Sequence, residues 1–117
     1  MTLKEYQDAA MTTCTNSSRN FSYMFLNFVG EIGELAGKVA KHIRKERLWI
    51  NDNNVVTQGF KIEDINELKK EAGDCLWQLS GLCSVMGWSL EEIAQMNLDK
   101  LADRQKRNVI VGEGDNR

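Results

Sequence analysis

Proline is absent from the 117 residues, histidine occurs once, and the three cysteines, Cys14, Cys75 and Cys83, show no CxxC spacing. Each shortage excludes something. Without proline, and without alternating runs of β-branched residues, the chain does not read as a sheet protein; its apolar residues recur at helical spacing instead. The lone histidine cannot supply the paired Glu-x-x-His ligands of a di-iron bundle, and Val39, not a glutamate, stands three residues before His42. Cys75 and Cys83 fall about two helical turns apart, beyond disulfide reach, so a reducing compartment is expected and the protein reads as cytoplasmic. No apolar run approaches the roughly 20 residues of a membrane span, and the opening residues are polar, so no membrane partner is expected. Lys plus Arg total 15 against 17 Asp plus Glu, and this net charge of −2 offers no electrostatic case for long nucleic acid.

What remains is a helical pattern of ordinary composition, 42% hydrophobic, of a length that suits one domain over residues 1–117. Thr2-Leu3-Lys4-Glu5 is a capping box that starts a first helix running to about Thr13. A second helix from about Phe21 to Arg47 carries Phe28, Ile32, Leu35, Val39 and Ile43 on one face. Asn51 to Asn54 and Gly59 mark a loop, with Val55 to Thr57 extended. The third helix, about Ile62 to Met86, repeats the stripe with Ile65, Leu68, Ala72, Leu76, Leu79, Cys83 and Met86, and Gly87 ends it. Ser89-Leu90-Glu91-Glu92 is a second capping box, which opens a fourth helix that reaches about Arg107, with Leu90, Ile93, Ala94 and Leu101 inward. Residues from about 109 to 117 are expected to form a flexible tail. The fold class is therefore all-α, of four-helix-bundle type. Gly33, Gly37 and Ala40 lie behind the second helix, and Gly73, Trp77 and Gly81 behind the third. The small residues admit another helix and an exposed Trp77 would be costly, which predicts close packing that an oligomer, dimer or tetramer, would complete, the alternative being the chain's own first and fourth helices.

Two acidic signatures stand out on these helices: Glu31-Ile32-Gly33-Glu34 and Glu71-Ala72-Gly73-Asp74. In each, carboxylates three residues apart share one helix face beside the apolar stripe. If the helices pack side by side, four acids converge. Two such charges about 5 Å apart cost about 3 kcal/mol at an effective dielectric of about 20, and a divalent cation removes that strain. Ligands that are all oxygen favour Mg²⁺, with Mn²⁺ as the other choice, over zinc. Lys38 lies on the polar edge of the second helix with Asn27 and His42, where it is a candidate substrate contact. On the fourth helix Asn97, Lys100 and Arg104 form a cationic edge, a point charge and a fork suited to phosphate oxygens.

The segments Phe28 to Leu35, Glu71 to Trp77 and Asn97 to Arg104, the last an Asn-x-x-Lys-Leu-x-x-Arg run, resemble in order the motifs of MazG-like nucleotide pyrophosphohydrolases. These belong to the all-α NTP pyrophosphatase superfamily, which also includes dimeric dUTPases. The resemblance implies Mg²⁺ held by Glu31, Glu34, Glu71 and Asp74, with Asn97, Lys100 and Arg104 near a nucleoside triphosphate, in a homo-oligomer. It implies attack of water on the α-phosphorus, with nucleoside monophosphate and pyrophosphate as products. Glu31 and Glu34 are the candidates to take the proton from water. The stretch from about Leu48 to Phe60 is longer than the family's usual connection, which leaves base recognition open. Two other readings stand beside this one: a base-selective enzyme of the dUTP or dCTP type, and a non-catalytic helical interaction module.

Overall fold

A computed structural model describes residues 1–117. Thr2 caps α1 (Leu3–Met11) as its sequence predicts: its hydroxyl accepts from the Glu5 amide and the Glu5 carboxylate from the Thr2 amide, each at 3.0 Å. After a turn of 3-10 helix at Asn16–Ser18, Asn20 Oδ1 accepts from the Tyr23 amide at 2.9 Å and starts α2 (Phe21–Arg44). Strands β1 (Leu48–Asn51) and β2 (Asn54–Thr57) separate it from α3 (Ile62–Val85), and α4 (Leu90–Lys106) follows. Four helices and one small hairpin make the all-α fold expected from periodicity.

Three of the helices stop by the same device. Glu46, Gly87 and Asn108 adopt left-handed φ values of 57°, 73° and 59° just past α2, α3 and α4. In each case the next amide reaches back to the helix, Arg47 to the His42 carbonyl, Trp88 to Cys83 and Val109 to Arg104. Ser89 forms only half of the capping box expected for α4: its hydroxyl accepts from the Glu92 amide at 3.3 Å.

The segment read as a loop is a β-hairpin, with Leu48 opposite Thr57 and Asn51 opposite Asn54. Its turn residues Asp52 and Asn53 have φ of 50° and 66°, the pair of positive values a type I′ turn demands. Short polar side chains that argued for an irregular loop are also those that tolerate this turn.

The hairpin returns the chain so that α2 and α3 run antiparallel along their length. Near one end Met24 packs on Gly81, midway Lys38 meets Glu67 and Glu71, and at the far end the His42 ring lies 4.5 Å from that of Phe60. Met24, Ser80 and Cys83 are fully buried at the Met24 end of this pair. From α1, Gln7 ties that same end together: its amide nitrogen donates to Ser84 Oγ and the Trp88 carbonyl, both at 3.0 Å, and its oxygen accepts from the Leu90 amide at 2.8 Å.

Two residues expected behind α3 lie inside the chain's own packing. Trp77 Nε1 donates to the Ala10 carbonyl at 3.1 Å and to Thr13 Oγ1 at 3.0 Å, because α1 crosses that side of α3. Gly81 is buried and admits the Met24 side chain. Gly33, Gly37 and Gly73 have no atom of the chain within reach of an added β-carbon.

Much apolar surface stays bare. Of the expected core stripes, Ile32, Ile43, Ile65 and Leu76 are exposed because α2 and α3 cover each other on one side only, and Met86 and Leu101 are exposed as well. The accessible surface is 8537 Å², against about 6,500 Å² for a compact chain of this mass. The radius of gyration of 17.5 Å likewise exceeds the roughly 13 Å of a compact chain. No helix is long and apolar enough to cross a membrane.

Candidate metal and phosphate site

Antiparallel packing of α2 on α3 brings the two acidic signatures face to face. Glu31, Glu34 and Glu71 each present a carboxylate oxygen, and these oxygens lie within 4.8 Å of one another. Glu71 is buried, Glu31 half-buried and Glu34 exposed, so the cluster opens to solvent on the Glu34 side. The Oε2 atoms of Glu31 and Glu71 are both buried and have no hydrogen-bond partner. A buried acceptor left alone costs about 1–3 kcal/mol, and more when charged, so the cluster is short of positive charge. Burial pushes the Glu31 carboxyl above the usual carboxylate range, and the charges of Glu34, Asp74 and Glu71 push it further the same way. Oxygen donors, orphaned lone pairs and a raised carboxyl together fit a hard divalent cation.

Asp74 stands beside this group rather than in it. It is exposed, outside the three that share the 4.8 Å cluster, yet close enough to act electrostatically on Glu31 and on two other groups. One is Tyr6 of α1, raised first by burial and then by Asp74; the other is the Cys75 thiol, raised by burial and then by Glu31, Asp74 and Glu71. The three cysteines are free.

Lys38 is the cation already present. Its ammonium donates to Glu71 Oε1 and lies 3.1 Å from Glu67 Oε1, bridging the edge of the acidic cluster to the next turn of α3. Hydrogen bonds to Glu71 and Glu67 hold its pKa above the usual lysine value. Beyond it, His42, Asp64 and Glu67 form a second group of potential ligands within 4.8 Å. Here the charge is met by the protein itself: Arg47 and Lys61 act on Asp64, and Lys38 and Lys41 on Glu67. His42, expected on a polar edge, is buried against Phe60.

On α4 the three expected residues differ in environment, Asn97 being exposed, Lys100 half-buried and Arg104 buried. Lys100 Nζ lies 3.0 Å and Arg104 Nη2 2.9 Å from the same oxygen, Asp115 Oδ1. Arg104 Nη2 also donates to the Gly114 carbonyl at 3.3 Å, while its Nε is buried without a partner. No ion pair joins Lys100 or Arg104 to the four acids. A cavity of about 650 Å³ at the start of α4, lined by Trp88, Ile93 and Met96 among others, adjoins one of about 260 Å³ bounded by Ile93, Met96, Asn97 and Lys100. An apolar groove thus leads to the cationic edge.

Two contributors escape the motifs: Tyr6 and Asp115 reach their places through contacts that no local spacing encodes, whereas Glu67 is legible on the polar edge of the third helix, one turn before Glu71.

No solved structure matches the chain. A protein of Mycobacterium phage L5, "Gene 37 protein", is 36% identical over 119 residues, which covers 96% of this chain and 96% of the phage protein. The family model of the MazG nucleotide pyrophosphohydrolase domain matches residues 19–109, a span holding both acidic signatures, the hairpin and the whole of α4. The chain belongs to the MazG nucleotide pyrophosphohydrolase family.

Proposed function

We propose that the protein hydrolyses nucleoside or deoxynucleoside triphosphates to the monophosphate and pyrophosphate with Mg²⁺, Mn²⁺ serving as a substitute. The observation that carries this reading is the Glu31, Glu34 and Glu71 cluster with its two orphaned buried oxygens, in a chain of this family. Glu31, Glu34 and Glu71 would hold the cation, with Asp74 completing the set. When bound, Mg²⁺ supplies Lewis-acid compensation for phosphate charge.

The protein's own groups divide the remaining work. Glu31 and Glu34 are the carboxylates to take a proton from the attacking water, through whichever of their oxygens the cation leaves free, and Glu34 lies on the solvent side. Lys38 can turn from Glu67 toward a phosphate, since both groups are part-exposed and surface pairs are weak. Lys100 and Arg104 stabilise the departing pyrophosphate, with Asn97 beside them at the groove.

The same reading includes assembly. An excess of about 2,000 Å² per chain over a compact surface exceeds the roughly 800 Å² that each partner buries in a standard interface and falls in the range of obligate ones. With no ion pair between the α4 cations and the acids of one chain, a homodimer or homotetramer would let the α4 edge of one copy serve the acids of another. Control of nucleotide pools or removal of damaged nucleotides in the cytoplasm is the role that suits this chemistry.

The test is incubation with Mg²⁺ and a panel of NTPs and dNTPs, with monophosphate, diphosphate, pyrophosphate and phosphate resolved by chromatography. Monophosphate plus pyrophosphate, lost with EDTA and in Glu34→Gln, is expected. Turnover confined to dUTP or dCTP would give the base-selective enzyme, and a folded protein that binds Mg²⁺ but turns over nothing would give the interaction module.

A further inference from the structure

Beyond α4 the chain does not run free. Arg117 folds the last residues into a closed turn, its guanidinium donating to the carbonyls of Val109 at 3.1 Å, Ile110 at 3.3 Å and Gly114 at 2.7 Å. Arg107 in turn donates to the Arg117 carbonyl. Gly114 sits at φ 76°, and a β-carbon on Gly112 would overlap the Arg117 side chain, so both glycines are needed for this shape. The turn presents Asp115, 80% exposed, to two cations that share one of its oxygens.

That oxygen occupies the place an oxygen of a bound phosphate would take, between a lysine point charge and one arm of an arginine fork. The site is built rather than incidental. Arg104 is 5% exposed, its guanidinium is fixed by the Gly114 carbonyl, and its buried Nε keeps a donor that Asp115 does not use. A polyphosphate, with several charged oxygens, can satisfy Lys100, Nη2 and Nε together, where one carboxylate oxygen satisfies two of the three. Lys100 and Arg104 hold the Asp115 carboxyl below the usual range, so it is charged at neutral pH and competes as an anion.

We infer that residues 109–117 form a built-in strap, whose Asp115 carboxylate fills the anion site of Lys100 and Arg104 until a substrate phosphate displaces it. This rests on the reading that these two cations bind phosphate. Because Asp115 is mostly exposed, its pairs are weak and the strap is easily lifted; it lowers apparent affinity by the fraction of time it is closed and leaves the chemical step alone.

The test uses the full chain in three forms, unmodified, Asp115→Asn and Lys100→Gln, titrated with inorganic pyrophosphate in EDTA so that only the protein's cations are probed. Asp115→Asn is expected to bind pyrophosphate about fourfold more tightly, and to lower KM for a triphosphate with Mg²⁺ by a similar factor at unchanged kcat. Unchanged or weaker pyrophosphate binding in Asp115→Asn overturns the strap. Equal binding by Lys100→Gln and the unmodified chain removes the phosphate reading of α4, and the strap with it, while the acidic cluster stands untouched by that result.

Discussion

Lys38 of α2 and Glu71 of α3 form a hydrogen-bonded ion pair at the rim of the acidic cluster, with the carboxylate far more deeply buried than the ammonium. Lys38 therefore stands in for part of the charge that a divalent cation would bring. Lys38→Met leaves Glu71 without that partner. In EDTA the variant should melt a few degrees below the unmodified chain, and Mg²⁺ should raise its Tm by more than it raises that of the original. An equal Mg²⁺ response in both would dissociate Lys38 from the cation site.

Glu31 imposes a pH dependence of known sign. Its folded pKa is raised, by burial first and by Glu34, Asp74 and Glu71 next, so its protonated form is favoured in the fold. The stability this provides is complete below the unfolded pKa and is lost as pH climbs through the raised folded value. Metal-free protein should lose Tm relative to Glu31→Gln across that window. Thermal melts of both forms from pH 4 to 8 check it; parallel curves would rule out the raised carboxyl.

Gly81→Ala puts a β-carbon where Met24 Sδ and Cε now lie, so the flexible end of this fully buried side chain must take another rotamer within packed surroundings. Overpacking of this kind costs about 1–3 kcal/mol, of which alanine's helix propensity returns up to about 1. A net loss of about 1 kcal/mol in urea unfolding is expected, and a gain would mean that Met24 repacks freely.

Leu26 and Val29 are 69% and 56% exposed on the same side of α2 as the open Gly33. Under the proposed assembly, a second copy seated on this face could not accept an unpaired buried charge. Leu26→Asp should leave helical circular dichroism intact while light scattering reports a single chain, in contrast to the unmodified protein. An unchanged mass would move the interface to another face.

Local chemistry made most of the fold legible. The Thr2 box, the Gly87 stop and the 3.6-residue stripes of α2 and α3 depend on neighbours a few residues away, and the helices fall within a few residues of where those signals put them. The hairpin was hidden because Asp52 and Asn53 serve a type I′ turn and an irregular loop equally well. The helix wheel puts Trp77 behind α3 but cannot choose between a second copy and the chain's own α1, which crosses there and offers Ala10 and Thr13 to the indole. At the site, Glu31, Glu34 and Glu71 converge because two repeats of one spacing sit on helices that a hairpin turns back. Lys38 shows the limit of such reading: the wheel puts it on the right edge but cannot say that it spends its charge on Glu67 and Glu71.

Gln7 also sets an order of events. Its amide joins the first helix to Ser84, Trp88 and Leu90, so α1 has no partner for these bonds until nearly the whole chain has been synthesised. The α2–hairpin–α3 unit needs only local return of the chain and can form first, with α1 docking last across it. A stalled or shortened product would then hold a ready-made acidic pair of helices but an undocked first helix, leaving the Trp77 indole without its Ala10 and Thr13 acceptors.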